Sequence, residues 1–251
     1  MARSGEQKYE SCFLAKLGHY VDLSDSDQQM LAVFEQDEKH FPARMSIVDA
    51  GGKVDNIFVV KEGWAVSYTL FPDGRRQNIR VHLPGDVMAL SSIAYSHQTI
   101  HIDAMTDTTV CPFPKKRIAT LFEESPRLGA LFMAIAMRDK VALRDTIRML
   151  GRMNAEERLG YFLLDTLDRL RIGTSADRTA FDLPMSQAMV GDTIGISFVS
   201  VNRAFRELDS LGLITRQGRE VTVARETDLV ERCDFHDRYD ELDTTWFPDA
   251  R

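Results

Sequence analysis

Cysteine is sparse in this 251-residue chain: Cys12, Cys111 and Cys233 lie far apart, and no Cys-x-x-Cys pair occurs. That count excludes a disulfide framework and a four-thiolate cluster. No cysteine–histidine pair has zinc-ligand spacing, so no metal site is expected. Glycine (15) and proline (8) are also few, against 44% hydrophobic and 27% charged residues. Dominant disorder is thereby excluded. No run of about 18 apolar residues is present, and the amino end, Met1 to Lys8, has no apolar stretch behind its charges. The expectation is a cytoplasmic protein with no membrane partner. A Gly-rich phosphate loop, His-Glu-x-x-His and Gly-x-Ser-x-Gly are all missing, so the chain is not read as an enzyme. Asp86, Asp103 and Asp107 read as turn and strand-edge residues.

The chain is not basic: its net charge is −7, which argues at first against a nucleic-acid partner. The distribution matters more than the sum. From Glu226 onward the charge is −6, which leaves −1 for residues 1–225. A local basic face is therefore compatible with the body of the chain. The acidic tail reads as a solvated terminus.

What the chain does contain is a change of periodicity. Ser24 with Asp27 three residues on resembles a capping box, and Met30, Leu31, Val33 and Phe34 follow at helical spacing. Strand-like runs then appear at 45–48, 57–60, 64–71, 77–83, 101–105 and 109–113. Gly51-Gly52, Glu62-Gly63, Pro72-Asp73-Gly74 and Pro84-Gly85-Asp86 separate them with turn chemistry. Short strands at this spacing predict an antiparallel roll or barrel. From Pro126 to Leu150 the spacing predicts one long helix, about 37 Å at 1.5 Å per residue. Its first half is apolar nearly all round, and a second copy of the same helix is the expected cover. The residues expected in that dimer are Leu128, Leu131, Phe132, Ile135, Ala142, Leu143, Ile147 and Leu150. Gly151 is expected to interrupt the helix. Asn154 with Glu157 caps another, running to about Leu170, and a polar loop at 173–178 follows.

Residues 183–208 carry the functional signal. Ser186 caps a short helix with Met189, Val190 and Ile194 inward, Gly195 supplies a turn, and Ser197 caps a second helix striped by Val201, Phe205 and Leu208. This is helix-turn-helix spacing. The side chains off the stripe are Phe198, Val199, Ser200, Asn202, Arg203 and Arg206. Arg203 can donate two parallel hydrogen bonds to guanine O6 and N7, and Asn202 can pair with adenine or a phosphate. Residues 213–223 then alternate around Gln217-Gly218 as a hairpin placed like a wing, with Arg216 and Arg219 near its tip to meet phosphates. Helix-turn-helix spacing alone arises by chance in many helical proteins, and an arginine on a helix is usually only solvated. Helix, glycine turn, capped helix and basic hairpin in that order are much harder to obtain by accident. The candidate DNA contacts are these residues with Ser186, Gln187 and Ser197.

The pieces Ile57-Phe-Val-Val-Lys-Glu-Gly63, Pro84-Gly-Asp86, Leu150-Gly-Arg-Met-Asn-Ala-Glu-Glu-Arg158, Phe162-Leu-Leu164, Leu183-Pro-Met-Ser186 and Ser200-Val-Asn-Arg203 resemble the CRP/FNR superfamily of bacterial transcription regulators. The stretch from Leu150 is most similar to the FNR and FixK branch. The resemblance covers roughly residues 20–225. It implies an α+β chain with an amino-terminal cyclic-nucleotide-binding-type β-roll (1–125), a long dimerisation helix (126–150), a carboxy-terminal winged helix-turn-helix (151–225) and an acidic tail (226–251). It also implies a homodimer that regulates transcription by reading a palindromic site in double-stranded DNA, and contact with RNA polymerase.

Departures from the family pattern limit what carries over. Cyclic-nucleotide binders follow the Gly-Asp pair with Gly-Glu-Leu, and place Arg-Ser or Arg-Thr on the next strand. Here the stretches read Ala89-Leu90-Ser91 and about Gln98-Thr99, so a buried phosphate lacks its cation and cyclic nucleotide binding is not expected. The cysteine count leaves no iron–sulfur cluster. Haem needs an axial ligand such as His82, His97 or His101, each more simply a surface or strand-edge histidine, so no cofactor is expected. Many relatives place a glutamate where Val199 sits, accepting from cytosine N4, and a serine or glycine where Asn202 sits, whereas Arg203 is retained. A different class of reading is a ligand-sensing regulatory protein acting through protein contacts. Selection from random DNA separates the two, because only the first expects an enriched palindrome.

Overall fold

The computed structural model describes residues 11–172, 177–240 and 242–249. Most of the polar loop read at 173–178, and the amino end, lie outside them. The chain divides into two compact units, one of residues 11–69, 79–139 and 242–249, the other of 70–78, 140–172 and 177–240.

The first unit begins with helices α1 (Cys12–Gly18) and α2 (Asp25–Ala32). The expected capping box is present: Asp27 N donates to Ser24 Oγ at 3.1 Å and Ser24 N to Asp27 Oδ2 at 3.2 Å. Eight strands follow: β1 (Lys39–Phe41), β2 (Ser46–Val48), β3 (Asn56–Glu62), β4 (Ala65–Leu70), β5 (Arg76–His82), β6 (Val87–Met88), β7 (His101–Ala104) and β8 (Thr108–Pro114). They form two four-stranded antiparallel sheets, in the orders β1-β8-β3-β6 and β2-β7-β4-β5. Strand β3 is buried on both faces. Phe58 and Val60 pack with Met88, Ile102 and Val110, while Ile57 and Val59 pack with Phe13, Leu17, Cys111 and Phe113. Double burial is why its sequence is an unbroken apolar run rather than an alternation.

Helices α3 (Arg117–Glu124) and α4 (Pro126–Arg152) complete the frame. Leu128 N donates to Ser125 Oγ at 3.3 Å, and Pro126 occupies the first helical position, where its missing N–H costs nothing. The first half of α4 corrects one expectation. Leu128, Leu131, Phe132 and Ile135 are buried within their own chain, against Phe13, Leu17, Leu31 and Leu121, and are not free for a second copy. Met133 and Met137 are the exposed apolar residues there, and Leu143 and Ile147 are those farther along. Ala142 is buried and Leu150 half-buried.

Helix α4 runs through Gly151 to Arg152, so that glycine does not interrupt it. One glycine costs a helix only about 1 kcal/mol; the stop is set by Asn154, which with Glu157 forms the capping box of α5 (Ala155–Arg171). The rest of the second unit is β9 (Ala180–Asp182), α6 (Gln187–Ile194), α7 (Phe198–Ser210), β10 (Ile214–Gln217), β11 (Glu220–Val223) and α8 (Glu226–Cys233). Strands β10, β11 and β9 make one antiparallel sheet in that order.

The acidic tail is not a solvated terminus. Leu229 and Cys233 of α8 are buried, Phe235 meets Tyr161 edge-on at 5.0 Å, and Tyr239 is buried. Arg148 is ion-paired to Asp234, and Arg238 Nε lies 2.7 Å from Asp145 Oδ2. Phe247 and Leu242 join the helical core of the first unit. Apolar and aromatic side chains, spaced among the acids, outweigh the net charge in placing this segment.

Candidate nucleic-acid interface

Local chemistry builds α6 and α7. The Ser186 hydroxyl accepts from Met189 N at 3.2 Å and caps α6; the Ser197 hydroxyl accepts from Ser200 N at 3.2 Å and caps α7. Ser200 Oγ lies 2.9 Å from Ser197 Oγ. These three hydroxyls therefore hold the scaffold. Between the helices, Gly195 has φ +67°, the left-handed region that glycine enters without strain. A Cβ on Gly191 would stand 2.5 Å from the Ile196 carbonyl oxygen, so only glycine lets the turn pass so close to α6.

The burial of α7 follows its stripe. Val201, Ala204, Phe205 and Leu208 are buried, while Val199, Asn202, Arg203 and Arg206 recur at i, i+3, i+4 and i+7 on the outer face. With Gln187 and Phe198 they line a groove of about 430 Å³. Phe198, Val199, Arg203 and Arg206 are exposed, and Ser200, Asn202 and Gln187 are half-buried. Asn202 Nδ2 donates to Gln187 Oε1 at 3.2 Å, and Arg206 donates to Asn202 Oδ1. Asn202 is thus a brace joining α6 to Arg206. Arg203 forms no ion pair among the described residues.

The wing places its cations differently from one another. The Arg216 guanidinium lies 4.5 Å from the centre of the Phe205 ring and donates to Gly218 O. Arg219 Nη2 is 2.7 Å from Asp182 Oδ2, with both side chains exposed. Such an exposed pair is worth at most about 1 kcal/mol and yields readily to a competing anion.

Sequence reasoning missed the residues that hold this site. Arg158 donates to four carbonyls: Leu150 O at 2.7 Å, Met153 O at 2.8 Å, Ile194 O at 3.2 Å and Gly195 O at 3.3 Å. It ties the end of α4 to the turn before α7, satisfying carbonyls that helix ends leave open. Its signal was its place in the first turn of α5, one turn past the end of α4. Asn78 Nδ2 donates to Met189 O and Thr193 Oγ1, and Gln77 Nε2 to Asp192 O at 2.8 Å. These partners are 111 and 115 residues away in sequence, and nothing local announces them. Burial pushes the Asp192 carboxyl above the usual carboxylate range.

No group of three histidine, cysteine or acidic side chains suited to a metal occurs among the described residues. Burial pushes the Cys111 thiol up to about 11 and the Cys233 thiol to about 12, so neither is a ready thiolate at neutral pH. His82 is not at the surface: it ends the edge strand β5 but is buried, its Nε2 lying 3.1 Å from Ser67 Oγ. His97 is exposed and His101 stacks on Tyr68. The segment from Val87 to Thr99 contains no lysine or arginine, and Ala89 there takes a left-handed φ of 60°. A buried cyclic phosphate has no cation in that segment and does not fit these residues.

Known proteins resemble both units. The family profile of the cyclic nucleotide-binding domain matches residues 38–125, and that of the Crp-like helix-turn-helix domain residues 157–232. The nitrogen fixation regulation protein FixK of Bradyrhizobium diazoefficiens is 32% identical over 175 residues, 70% of this chain and 73% of that protein. The transcriptional activator protein Anr of Pseudomonas aeruginosa is 26% identical, covering 89% of this chain and 90% of its own. The structure of FixK2 from Bradyrhizobium japonicum superposes with a TM-score of 0.70 at 27% identity, over 78% of this chain and 96% of that one. By sequence and by fold, this chain belongs to the CRP/FNR family of transcription regulators, with a β-roll of the cyclic nucleotide-binding type and a helix-turn-helix DNA-binding domain.

Proposed function

We propose that two copies of this chain associate along α4 and read a palindromic DNA site, each inserting α7 into the major groove. Leu143 and Ile147, with Met133 and Met137, supply the apolar contact; they are the large apolar side chains that this helix leaves exposed. The observation that carries the reading is the outer face of α7, where Arg203 stands exposed beside a groove and free to make two parallel hydrogen bonds to guanine. Arg216 and Arg219 on the wing meet phosphates, the latter by leaving Asp182. A symmetric pair sets the recognition helices ~34 Å apart, in successive major grooves of one face of the duplex.

In this reading the chain is not an enzyme, works in the cytoplasm and takes no iron–sulfur cluster, haem or cyclic nucleotide. RNA polymerase is its further partner. No helix among the described residues is long and apolar enough to cross a membrane. Selection from random-sequence DNA with the full-length protein tests the proposal. The expected product is a palindrome with a guanine in each half-site, and Arg203→Ala weakens binding there by about 1 to 3 kcal/mol while relaxing preference at that base pair. Equal binding by mutant and parent removes Arg203 from the reading set.

A further inference from the structure

The outer face of α7 opens with two apolar side chains. Phe198 and Val199 are each 61% exposed, at the first two positions of the helix and in the groove that holds Arg203. Neither can accept or donate to a base edge. Among the polar side chains lining that groove, Gln187, Asn202 and Arg206 are tied to one another. Whatever base pair meets Phe198 or Val199 must be chosen without a hydrogen bond from either.

The one methyl group that the major groove offers is the C5-methyl of thymine; cytosine has only a C5–H in its place, and the heteroatoms along the base edges are donors or acceptors. Docking an apolar side chain on cytosine N4 or guanine O6 strips water from a polar atom and gives no partner in return. Docking it on the methyl removes two apolar surfaces from water together. A glutamate in place of Val199 would offer a carboxylate to accept from cytosine N4; valine offers no acceptor. We propose that Phe198 and Val199 select thymine through its methyl, so that each half-site combines a guanine read by Arg203 with a thymine read without a hydrogen bond. This rests on the DNA reading proposed above.

Deoxyuridine differs from thymidine only by the methyl, and it supplies the test. The full-length protein is titrated against its selected duplex, with each thymine replaced in turn by deoxyuridine. One position per half-site is expected to weaken parent binding about fourfold, the worth of one buried methyl. That penalty is expected to shrink in Val199→Ala or Phe198→Ala, both at exposed positions, with folding checked by thermal melting. A repeat selection with Val199→Glu is expected to exchange that thymine for cytosine. Tolerance of uracil at every position, or an equal penalty in the parent and both alanine variants, overturns the thymine assignment while leaving the DNA reading intact. A parent that enriches no palindrome at all overturns both.

Discussion

Asp86 of the first unit and Arg203 of the second are both ionisable side chains, and their settings are opposite. Asp86 is buried. Its Oδ1 lies 2.7 Å from Lys16 Nζ, its Oδ2 accepts from Leu83 N at 2.9 Å, and Lys16 also reaches Pro84 O, so the turn is bound to α1. Arg203 is in water and holds no ion pair among the described residues. A charge turned inward with its partners filled stabilises a fold; a charge turned outward with its donors open is available to a ligand. Asp86 is thus a structural part of the β-roll, whereas Arg203 is exposed.

The sharpest way to break this contrast is Asp86→Ala. It leaves the Lys16 ammonium buried without its carboxylate, and the expected loss is about 3 to 5 kcal/mol in urea unfolding. A loss below 1 kcal/mol removes Asp86 from the structural side of the comparison.

Asp168 of α5 tests an inward-turned charge whose partner is shared. Arg171 lies 3.0 Å from it but also forks onto Glu226 at 2.6 and 2.7 Å, and burial, with Asp237 nearby, pushes the Asp168 carboxyl up to about 7. Its pKa is raised on folding, so between about pH 4 and pH 7 the folded chain binds more protons and stability falls as pH rises. Asp168→Asn is expected to flatten that slope, and to stabilise the protein at pH 8 by on the order of 2 kcal/mol. Thermal melting across pH reads this directly, and an unchanged slope contradicts it.

On the outward-turned side, Arg203→Ala is expected to leave unfolding stability within ~0.5 kcal/mol of the parent while DNA binding falls. A larger loss would give Arg203 a structural part. Arg219→Ala is expected to have the smallest effect: little change in stability, and a fall of about 1 per chain in the slope of log K against log salt concentration. An unchanged slope would show that Arg219 keeps Asp182 in the complex.

Much of the architecture was legible locally. The capping boxes at Ser24 and Asn154, the strands from β2 to β5, the long helix from Pro126 and the caps at Ser186 and Ser197 all stand where spacing placed them. Two short strands, β1 and β6, gave no alternation to read, having three and two residues. The tail was misread because net charge was weighed over Leu229, Phe235, Tyr239 and Phe247, which are buried. At the candidate site, the outer face of α7 followed from helical period alone, whereas Arg158, Gln77 and Asn78 were invisible because their partners are mostly backbone carbonyls, which leave no pattern in side-chain type, and those of Gln77 and Asn78 in α6 are more than 100 residues away.

By itself the sequence determined the order of helices and strands, where their ends are capped, and which residues of α7 face away from its apolar stripe, because these depend on residues within a turn or two of one another. Only the tertiary structure decided that Leu128, Leu131, Phe132 and Ile135 are covered inside their own chain, that Asn202 is a brace, and that Asp86 is sealed against Lys16. Those outcomes turn on which distant groups compete for the same surface or hydrogen bond, and that competition is resolved only when the chain has closed around it.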